Sequence, residues 1–331
     1  MKYALMILGL AIGFILIVKG GDIFVESSVS LARIAHIKEM IIGATIVSVG
    51  TTLPEFFSSL IATIRGVSLG GDMGYYSLAL ANAIGSMLCN SGLVLALVML
   101  IRPPRYESVT FNISAIYVLV ISLFIVIAVS TGSRISVGEG VILLLLFVMF
   151  MMSNVRRAME SEESSLESML TPDTEHEPRW RMVLSFIVGG TAISVGAMLL
   201  VDNAKALAMS AGISEQLLGV TLVAVGTSLP ELVTALTSLR RGNTDVGVGN
   251  ILGAHVINGT LIIGVIAVIT SGGLVVDAIT RNVAVYVMLA IMSVLIVPTL
   301  ITRRFARWQG IAMLAIYVGY IGYNIITVLC T

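Results

Sequence analysis

Two glutamates, each directly after a proline, are the most chemically informative residues of this chain. Pro54-Glu55 ends the segment GATIVSVGTTLPE at residues 43–55, and Pro230-Glu231 ends GVTLVAVGTSLPE at residues 219–231. Nine of the thirteen positions are identical, and the segments lie 176 residues apart. Both glutamates interrupt apolar runs, where an ionisable group is costly and normally functional. The pattern predicts a pair of carboxylates that bind a cation.

The residues around each proline supply further oxygen ligands. Because proline has no N–H, Pro54 and Pro230 should leave the carbonyls of Gly50 and Gly226 without helical partners. Hydroxyls precede each proline, at Thr51, Thr52, Thr227 and Ser228. Carboxylate, carbonyl and hydroxyl oxygens suit Ca²⁺, which takes about six to eight of them. Sulfur and imidazole ligands are scarce here, which argues against zinc or copper.

Each residue type also has a structural explanation. A lone proline in a membrane helix often produces only a kink, and a protonated glutamate can join two helices by a hydrogen bond. Neither explanation predicts that Pro, Glu and flanking hydroxyls recur together in both halves of the chain. We therefore favour the cation site for Glu55 and Glu231.

Composition indicates an all-α polytopic membrane protein. Of 331 residues, 57% are apolar and 11% charged, and the mean hydropathy is +1.03. Ten apolar runs of roughly the 20 residues that a membrane span needs lie at 3–32, 40–64, 76–101, 110–131, 137–153, 181–211, 216–239, 246–271, 282–302 and 308–329. The first run has no small-residue cleavage pattern, so we interpret it as a retained helix. Cys89 and Cys330 do not suggest a disulfide framework.

The ten predicted transmembrane helices fall into two repeats of five. Residues 1–153 form the first, an acidic segment at 154–180 forms a cytoplasmic linker, and residues 181–331 form the second. The 176-residue offset also matches Val25-Glu26 with Val201-Asp202, and an offset of 168 matches ANAIGSMLCN at 81–90 with GNILGAHVIN at 249–258. Because five is odd, the second repeat should enter the membrane from the opposite side, which gives an inverted-topology repeat.

The basic residues predict an orientation. With the N-terminus outside, thirteen of the 19 Lys and Arg residues fall in inside loops and four, Lys2, Arg65, Arg134 and Arg281, fall outside. Positive charge accumulates on the cytoplasmic side, so both termini should be extracytoplasmic, in a multi-pass protein of the cell membrane.

The motifs resemble those of the cation/Ca²⁺ exchanger superfamily, particularly its prokaryotic Na⁺/Ca²⁺ exchangers. The resemblance rests on GTTLPE, GTSLPE, NAIGSMLCN, GNILGAHVIN and RWQGIAMLAIYV at 307–318. It implies ten helices, with the second, third, seventh and eighth around the ion sites and the first and sixth sliding across them. On this resemblance Glu55 and Glu231 bind Ca²⁺ with Thr51 and Thr227. It further assigns Na⁺ ligands to the carbonyls of Ser48 and Ala224 and to the hydroxyl of Ser86.

Two positions in the eighth span depart from the family pattern. Ala254 stands where many of these exchangers have Ser, and Asn258 stands where they have Asp. The centre becomes symmetric, with Glu55, Asn90, Glu231 and Asn258 and a formal charge of at most minus two. His255 could carry a proton near neutral pH, but we favour a fixed neutral tautomer. Glu26 and Asp202 are interpreted as anchors near a membrane interface.

These observations predict a secondary antiporter that exchanges Ca²⁺ for Na⁺ by alternating access, with no cofactor, no nucleic acid partner and a monomeric state. An H⁺-coupled exchanger of Ca²⁺ or another divalent cation is the alternative. A channel is disfavoured because pores are more often built from rings of subunits. An enzyme is disfavoured because the sequence has no GxSxG elbow and no His-Glu-x-x-His motif.

Overall fold

The computed structural model describes residues 2–34, 37–71, 73–106, 108–166, 178–210, 226, 228–270 and 272–330. Its first half contains five helices. Helix α1 spans Lys2–Ile34, α2 spans Glu39–Ser68, α4 spans Ser108–Thr131 and α5 spans Val137–Leu166. Helix α3 consists of Met73–Cys89, a π-helical turn at Asn90–Leu95, and Ala96–Ile101. A π-helical turn also interrupts α2, at Gly43–Val47.

The second half follows the same order. Helix α6 spans Arg179–Ser210 and α7 spans Leu229–Arg241. Helix α8 consists of Thr244–Ile257, a π-helical turn at Asn258–Ile262, and Ile263–Ile269. Helix α9 has a π-helical turn at Thr280–Ala284 and continues as Val285–Thr302, and α10 spans Arg307–Cys330. The short strands β1, Arg134–Ile135, and β2, Leu274–Val275, follow α4 and α8.

Within the described residues, nine helices are long and apolar enough to cross a membrane, namely all of these except α7. Helix α7 has 13 described residues. Much of the predicted seventh span, 216–239, falls on residues 211–225 and 227, which lie outside the described part of the chain. The tenth span and the inverted repeat therefore stay predictions.

Helix α5 extends into the segment that we predicted as the linker. The helix continues to Leu166, and Arg156 Nε donates to Glu160 Oε1 at 3.0 Å on its exposed side. Such i,i+4 pairs support helix in water, so acidic composition did not mark the end of the helix. Residues 167–177 of the predicted linker lie outside the described residues.

Helices α3 and α8 form the centre of the molecule. In their most apolar stretches 72% and 83% of the residues are buried, compared with 22% in each of α5, α6 and α10. The peripheral helices expose large apolar side chains such as Phe14, Leu145 and Ile311. Lipid accommodates such surfaces and water does not, so the burial pattern fits a bundle with its polar groups inside.

Glycines allow α1 and α6 to cross in close contact. A Cβ added to Gly13 would lie 2.8 Å from the Gly196 oxygen, and one added to Gly196 would lie 2.8 Å from the Gly13 oxygen. The same reciprocal relation holds for Gly20 and Gly189, at 3.0 Å. Small residues let membrane helices approach to backbone contact, so α1 and α6 pack as one unit.

The ends of α4 and α8 meet in a short antiparallel pairing that the sequence analysis did not predict. Arg134 pairs with Val275 and Ile135 with Leu274. Val276 N also donates to the Ser133 oxygen at 3.0 Å. This pairing places the ends of α4 and α8 on the same side of the bundle.

The glycine crossing generates a stability prediction. Replacing Gly196 by Val should lower the unfolding free energy by about 1–3 kcal/mol, because the new side chain overpacks the α1–α6 contact. Gly319→Ala is the matched control, since a Cβ there meets nothing within 4 Å. Thermal unfolding in detergent should show a lower midpoint for Gly196→Val and no loss for Gly319→Ala. Equal midpoints for Gly196→Val and the unmodified protein would contradict the packing.

Candidate functional site

Helices α2 and α7 carry the two glutamates to the centre of the bundle. Both side chains are 0% exposed. Pro54 lies inside α2, so the Gly50 carbonyl lacks its usual helical donor. Pro230 instead lies in the first turn of α7, after Ser228 as N-cap, where a missing N–H costs nothing. The break predicted in the second half therefore coincides with the start of the described helix.

Hydroxyl groups connect the two carboxylates to a common polar centre. Thr52 of α2 donates to Glu231 Oε1 at 3.4 Å, and Ser86 of α3 donates to Glu55 Oε1 at 3.3 Å. The Ser86 and Ser228 hydroxyls lie 3.2 Å apart. Each glutamate is thus bonded from a helix other than its own, and the Ser86–Ser228 contact joins the two sets. The structure brings Thr52, Ser86 and Ser228 together with both carboxylates.

Four buried oxygens of this centre have no hydrogen-bond partner among the described residues. They are Glu55 Oε2, Glu231 Oε2, Asn90 Oδ1 and Asn258 Oδ1. The amide nitrogens are oriented by other groups, because Asn90 Nδ2 donates to Ser86 Oγ at 3.5 Å and Asn258 Nδ2 to the Ala254 oxygen at 2.8 Å. Buried oxygens without partners are rare because they lose their hydration. A bound cation would be a suitable partner for such oxygens.

The unpartnered oxygens occupy matched positions of the two halves. Asn90 and Asn258 each begin a π-helical turn, in α3 and α8 respectively. Such turns occur frequently at functional sites. Two carboxylates and two amides therefore lie buried at matched positions, with a maximum formal charge of minus two. Among the described residues no group of three or more His, Cys, Asp and Glu side chains could hold a metal, so other donors must complete any coordination.

Two further asparagines support α2, and the sequence analysis missed both. Asn82 Nδ2 donates to the Glu55 backbone oxygen at 3.2 Å and to Ser59 Oγ at 2.9 Å. Asn250 Oδ1 accepts from Thr51 Oγ1 at 3.0 Å. The sequence does contain a pattern that marks both residues, because the 168-residue offset aligns Asn82 with Asn250.

The remaining predicted ligands divide into described and undescribed residues. Ser48 is fully buried, and its hydroxyl donates to the Thr45 oxygen at 3.0 Å. Thr51 is buried beside it. Ala224 and Thr227 lie outside the described residues, so their predicted roles stay predictions.

Close packing of α2 on α8 places these groups within reach of one another. A Cβ added to Gly253 of α8 would lie 2.5 Å from both Ser48 Oγ and the Ala44 oxygen of α2. Gly249, one turn earlier, meets the Met40 oxygen even more closely. Larger residues at these positions would separate the helix that carries Glu55 from the helix that carries Asn258.

His255 is held between two serines and does not face the carboxylates through a hydrogen bond. Ser91 Oγ donates to the Met87 oxygen at 2.6 Å, so it accepts from His255 Nδ1–H at 3.4 Å. Ser122 Oγ lies 3.0 Å from Nε2. These contacts give both ring nitrogens a serine partner and join α8 to α3 and α4, and the neutral tautomer that we favoured stays a prediction.

A cleft of about 590 Å³ leads from the surface to this centre. It is lined by residues of α2, α3, α10 and the start of α9, and at its inner end by Asn82 and Ser86. Asp277, Tyr320 and Asn324 lie nearer its mouth. Ser86, which donates to Glu55, is thus the lining residue that connects the cleft to the carboxylates.

Sequence comparison identifies relatives over nearly the whole chain. Residues 5–155 and 181–326 match the family described as sodium/calcium exchanger protein. An uncharacterised membrane protein of Methanocaldococcus jannaschii is 34% identical over 311 residues, which cover 93% of this chain and 94% of that protein. A sodium/calcium exchanger of Methanosarcina acetivorans is 26% identical over 351 residues, covering 94% and 96%.

Solved structures agree with the sequence comparison. The sodium-calcium exchanger NCX_Mj soaked with 10 mM Na⁺ and zero Ca²⁺ superposes with a TM-score of 0.79 at 30% identity, covering 97% of this chain and 99% of that one. The same exchanger soaked with 2.5 mM Na⁺ and 10 mM Sr²⁺ gives a TM-score of 0.78 at 31% identity. On this evidence the chain is a membrane protein that belongs to the sodium/calcium exchanger family.

Proposed function

We propose that this protein exchanges Ca²⁺ for Na⁺ across the cell membrane, and that Glu55 and Glu231 bind both ions in turn. The observation that carries the proposal is the set of four buried, unpartnered oxygens on Glu55, Glu231, Asn90 and Asn258. Hard oxygen donors of this kind suit Ca²⁺ and Na⁺. The hydroxyls of Thr51, Thr52, Ser86 and Ser228 lie around them as further ligands.

The charge of the site explains why the protein would exchange ions and would not let them leak across the membrane. An empty site presents two carboxylates to an apolar path, which is unfavourable at membrane depth. One Ca²⁺ neutralises both carboxylates, and monovalent ions that bind the same oxygens compete with it. Only an occupied site would therefore let the sliding helices α1 and α6 cross it, so each passage carries ions.

The contacts of the helix bundle support the ten-helix inverted repeat. The 176-residue offset aligns Gly13 with Gly189 and Gly20 with Gly196. The repeat therefore converts the contact Gly13–Gly196 into the contact Gly20–Gly189. The β1–β2 pairing places the ends of α4 and α8 on one side, which requires an even number of crossings between them. Helices α5, α6 and α8 supply three, so α7 with the residues before it would supply the fourth.

The proposed orientation follows from this topology and the basic residues. Both termini lie outside the cytoplasm, and the mouth of the cleft near Asp277 then faces outward. The ends of α7 and α9, with Arg240, Arg241, Arg303 and Arg304, face inward in agreement with the positive-inside rule. We further propose that the monomer is the functional unit, because both sets of ligands belong to one chain.

An H⁺-coupled exchanger is the second candidate, and one observation favours it. Ala254 has no hydroxyl and Asn258 carries no charge, so α8 offers Na⁺ fewer ligands than the family pattern. Two protons on Glu55 and Glu231 would neutralise the site as Ca²⁺ does. His255 would not carry these protons, since both ring nitrogens are bonded to serines.

The glutamates give the sharpest test of the ion site. Glu55→Gln and Glu231→Gln should each abolish isotopic Ca²⁺ uptake into proteoliposomes, because a single remaining carboxylate cannot neutralise a divalent ion. Glu160→Gln is the matched control, since Glu160 is an exposed glutamate paired with Arg156 and should retain full uptake. Robust uptake by both central variants at normal insertion would refute the assignment.

Imposed gradients identify the coupling ion. A Na⁺ gradient at clamped pH should drive Ca²⁺ accumulation, and His255→Gln should keep the same ion dependence and pH profile. Accumulation only under a pH gradient would establish the H⁺-coupled alternative. Ca²⁺ flux that needs neither gradient would indicate a channel.

The symmetric amides predict matched losses of affinity. Asn90→Ala and Asn258→Ala each remove one unpartnered oxygen, and a hydrogen-bond-strength interaction with a charge contributes about 1.5–3 kcal/mol. Each variant should therefore weaken Ca²⁺ binding by about 10- to 100-fold, measured by calorimetry on purified protein. Asn154→Ala, which removes an amide oxygen that accepts from Arg157 of the same helix α5, should leave the affinity unchanged. Wild-type affinity in Asn90→Ala or Asn258→Ala would remove that residue from the site.

A further inference from the structure

Ion pairs fasten helix α1 to the end of helix α7. Arg240 Nη2 pairs with Asp22 Oδ1, and Arg241 Nη2 pairs with Glu26 Oε2 at 3.1 Å. Arg241 Nε also lies 3.8 Å from Asp22 Oδ1. These groups take no part in the central site, because Arg241 follows Glu231 by ten residues, or about 15 Å of helix. Their position therefore calls for a separate explanation.

The two halves of the protein differ at this contact. Helix α1 packs more extensively on α7 than α6 packs on α2, although the offset of 176 residues makes these two contacts equivalent. The described lengths do not explain the difference, since α7 has fewer described residues than α2 and still has the more extensive contact. The structure thus holds one of two equivalent arrangements, with α1 docked on α7.

The duplication supplies a second set of charges at the equivalent place. An offset of 176 residues aligns Glu26 with Asp202 and Arg241-Gly242 with Arg65-Gly66. Arg65 and Asp202 are both exposed. In the described part of the chain the ion pairs include none between Arg65 and Asp202. The charged residues equivalent to Arg241 and Glu26 are therefore present, but they do not form an ion pair.

The open cleft lies on the side of the unformed pair. Ala62 and Gly74, which flank Arg65 in sequence, line the cleft that reaches Ser86. The formed pairs at Arg240 and Arg241 lie at the opposite end of the bundle in the proposed topology. The cleft thus lies on the side where Arg65 and Asp202 are separated, whereas the ion pairs of Arg240 and Arg241 are formed on the other side.

We propose that these charges are two alternating latches. The first, formed by Asp22, Glu26, Arg240 and Arg241, holds the Arg241 side closed in this conformation. The second, formed by Asp202 and Arg65, closes the Arg65 side when α1 and α6 have moved across the core. The inference rests on the proposed alternating-access exchange, and it adds the contacts that hold each end state.

The strength of the contacts fits such a role. Exposed ion pairs are individually weak, and removing one should shift a two-state equilibrium by about two- to fivefold. A latch of this strength biases the resting conformation and still opens in each cycle. The first latch has two acids and two arginines, whereas Asp22 and Arg240 align with the uncharged Met198 and Ile64. The conformation seen here should therefore predominate at rest.

Cysteine labelling in the cleft tests the proposal. Ser77→Cys places a thiol on the lining of the cleft, and its rate of maleimide labelling in nanodiscs reports the fraction of open molecules. The same measurement without Ser77→Cys corrects for Cys89 and Cys330. Arg241→Gln should lower the ratio of open to closed molecules about two- to fivefold and so slow labelling of the introduced thiol, and Glu26→Gln added to it should slow labelling no further. Adding Arg65→Gln to Arg241→Gln should restore the rate, since each latch has then lost an arginine.

The result also separates this inference from the exchange function. An unchanged rate in Arg241→Gln, or a further decrease when Arg65→Gln is added, would overturn the latches. Ca²⁺ uptake by the unmodified protein is measured independently in proteoliposomes. Ca²⁺ uptake together with labelling rates that the substitutions do not alter would refute the latches alone. The predicted labelling rates without Ca²⁺ uptake under any gradient would refute the exchange function alone.

Discussion

Two carboxylates buried in an apolar bundle govern the architecture of this protein. Glu55 and Glu231 are fully buried, and Ser86, which donates to Glu55, lies 3.2 Å from Ser228, the N-cap of the helix that carries Glu231. Like charges in such surroundings repel unless a counter-ion neutralises them. The surrounding hydroxyls and amides belong to helices that pack closely, with π-helical turns at Asn90 and Asn258 and glycines between α2 and α8. On the proposed function, this arrangement receives positive charge.

The centre lacks two groups that the family resemblance predicts, a carboxylate at residue 258 and a hydroxyl at residue 254. Asn258 offers an amide oxygen where the family resemblance predicts Asp, and that oxygen has no hydrogen-bond partner among the described residues. Ala254 retains only its carbonyl, which accepts from Asn258 Nδ2. Relative to the pattern that the resemblance implies, both changes lower the charge or the number of oxygens on α8, whereas Ser86 and Asn90 of α3 match it. On the proposed function, the coupling ion then depends on how well the remaining oxygens bind Na⁺.

The structure is symmetric in its ligands and asymmetric in its periphery. Glu and Asn residues repeat at matched positions, yet the cleft that reaches Ser86 lies on one side and the α1–α7 ion pairs form on the other. A transporter needs both properties, because the ions must meet the same site from either side and the helices must occupy one end state at a time. Weak exposed contacts at the ends of the helices can select a state without altering the site.

The membrane class, nine of the helices and the candidate residues of the centre could all be predicted from the sequence alone. Hydropathy locates the spans because lipid requires continuous apolar helices, and the repeated Pro-Glu segments indicate the ligands because chance does not reproduce both. Composition could not locate the end of α5, since charged residues at i,i+4 spacing support a helix in water as well. The partner that each group meets, by contrast, depended on three-dimensional packing. Asn82, Asn250 and the His255 tautomer rely on hydrogen bonds between residues far apart in sequence, and the ion pairs of α1 rely on where that helix docks. Local patterns encode which atoms a residue offers, whereas the approach of separate helices, set by glycine contacts and packing, determines whether those atoms are satisfied, paired or left to bind an ion.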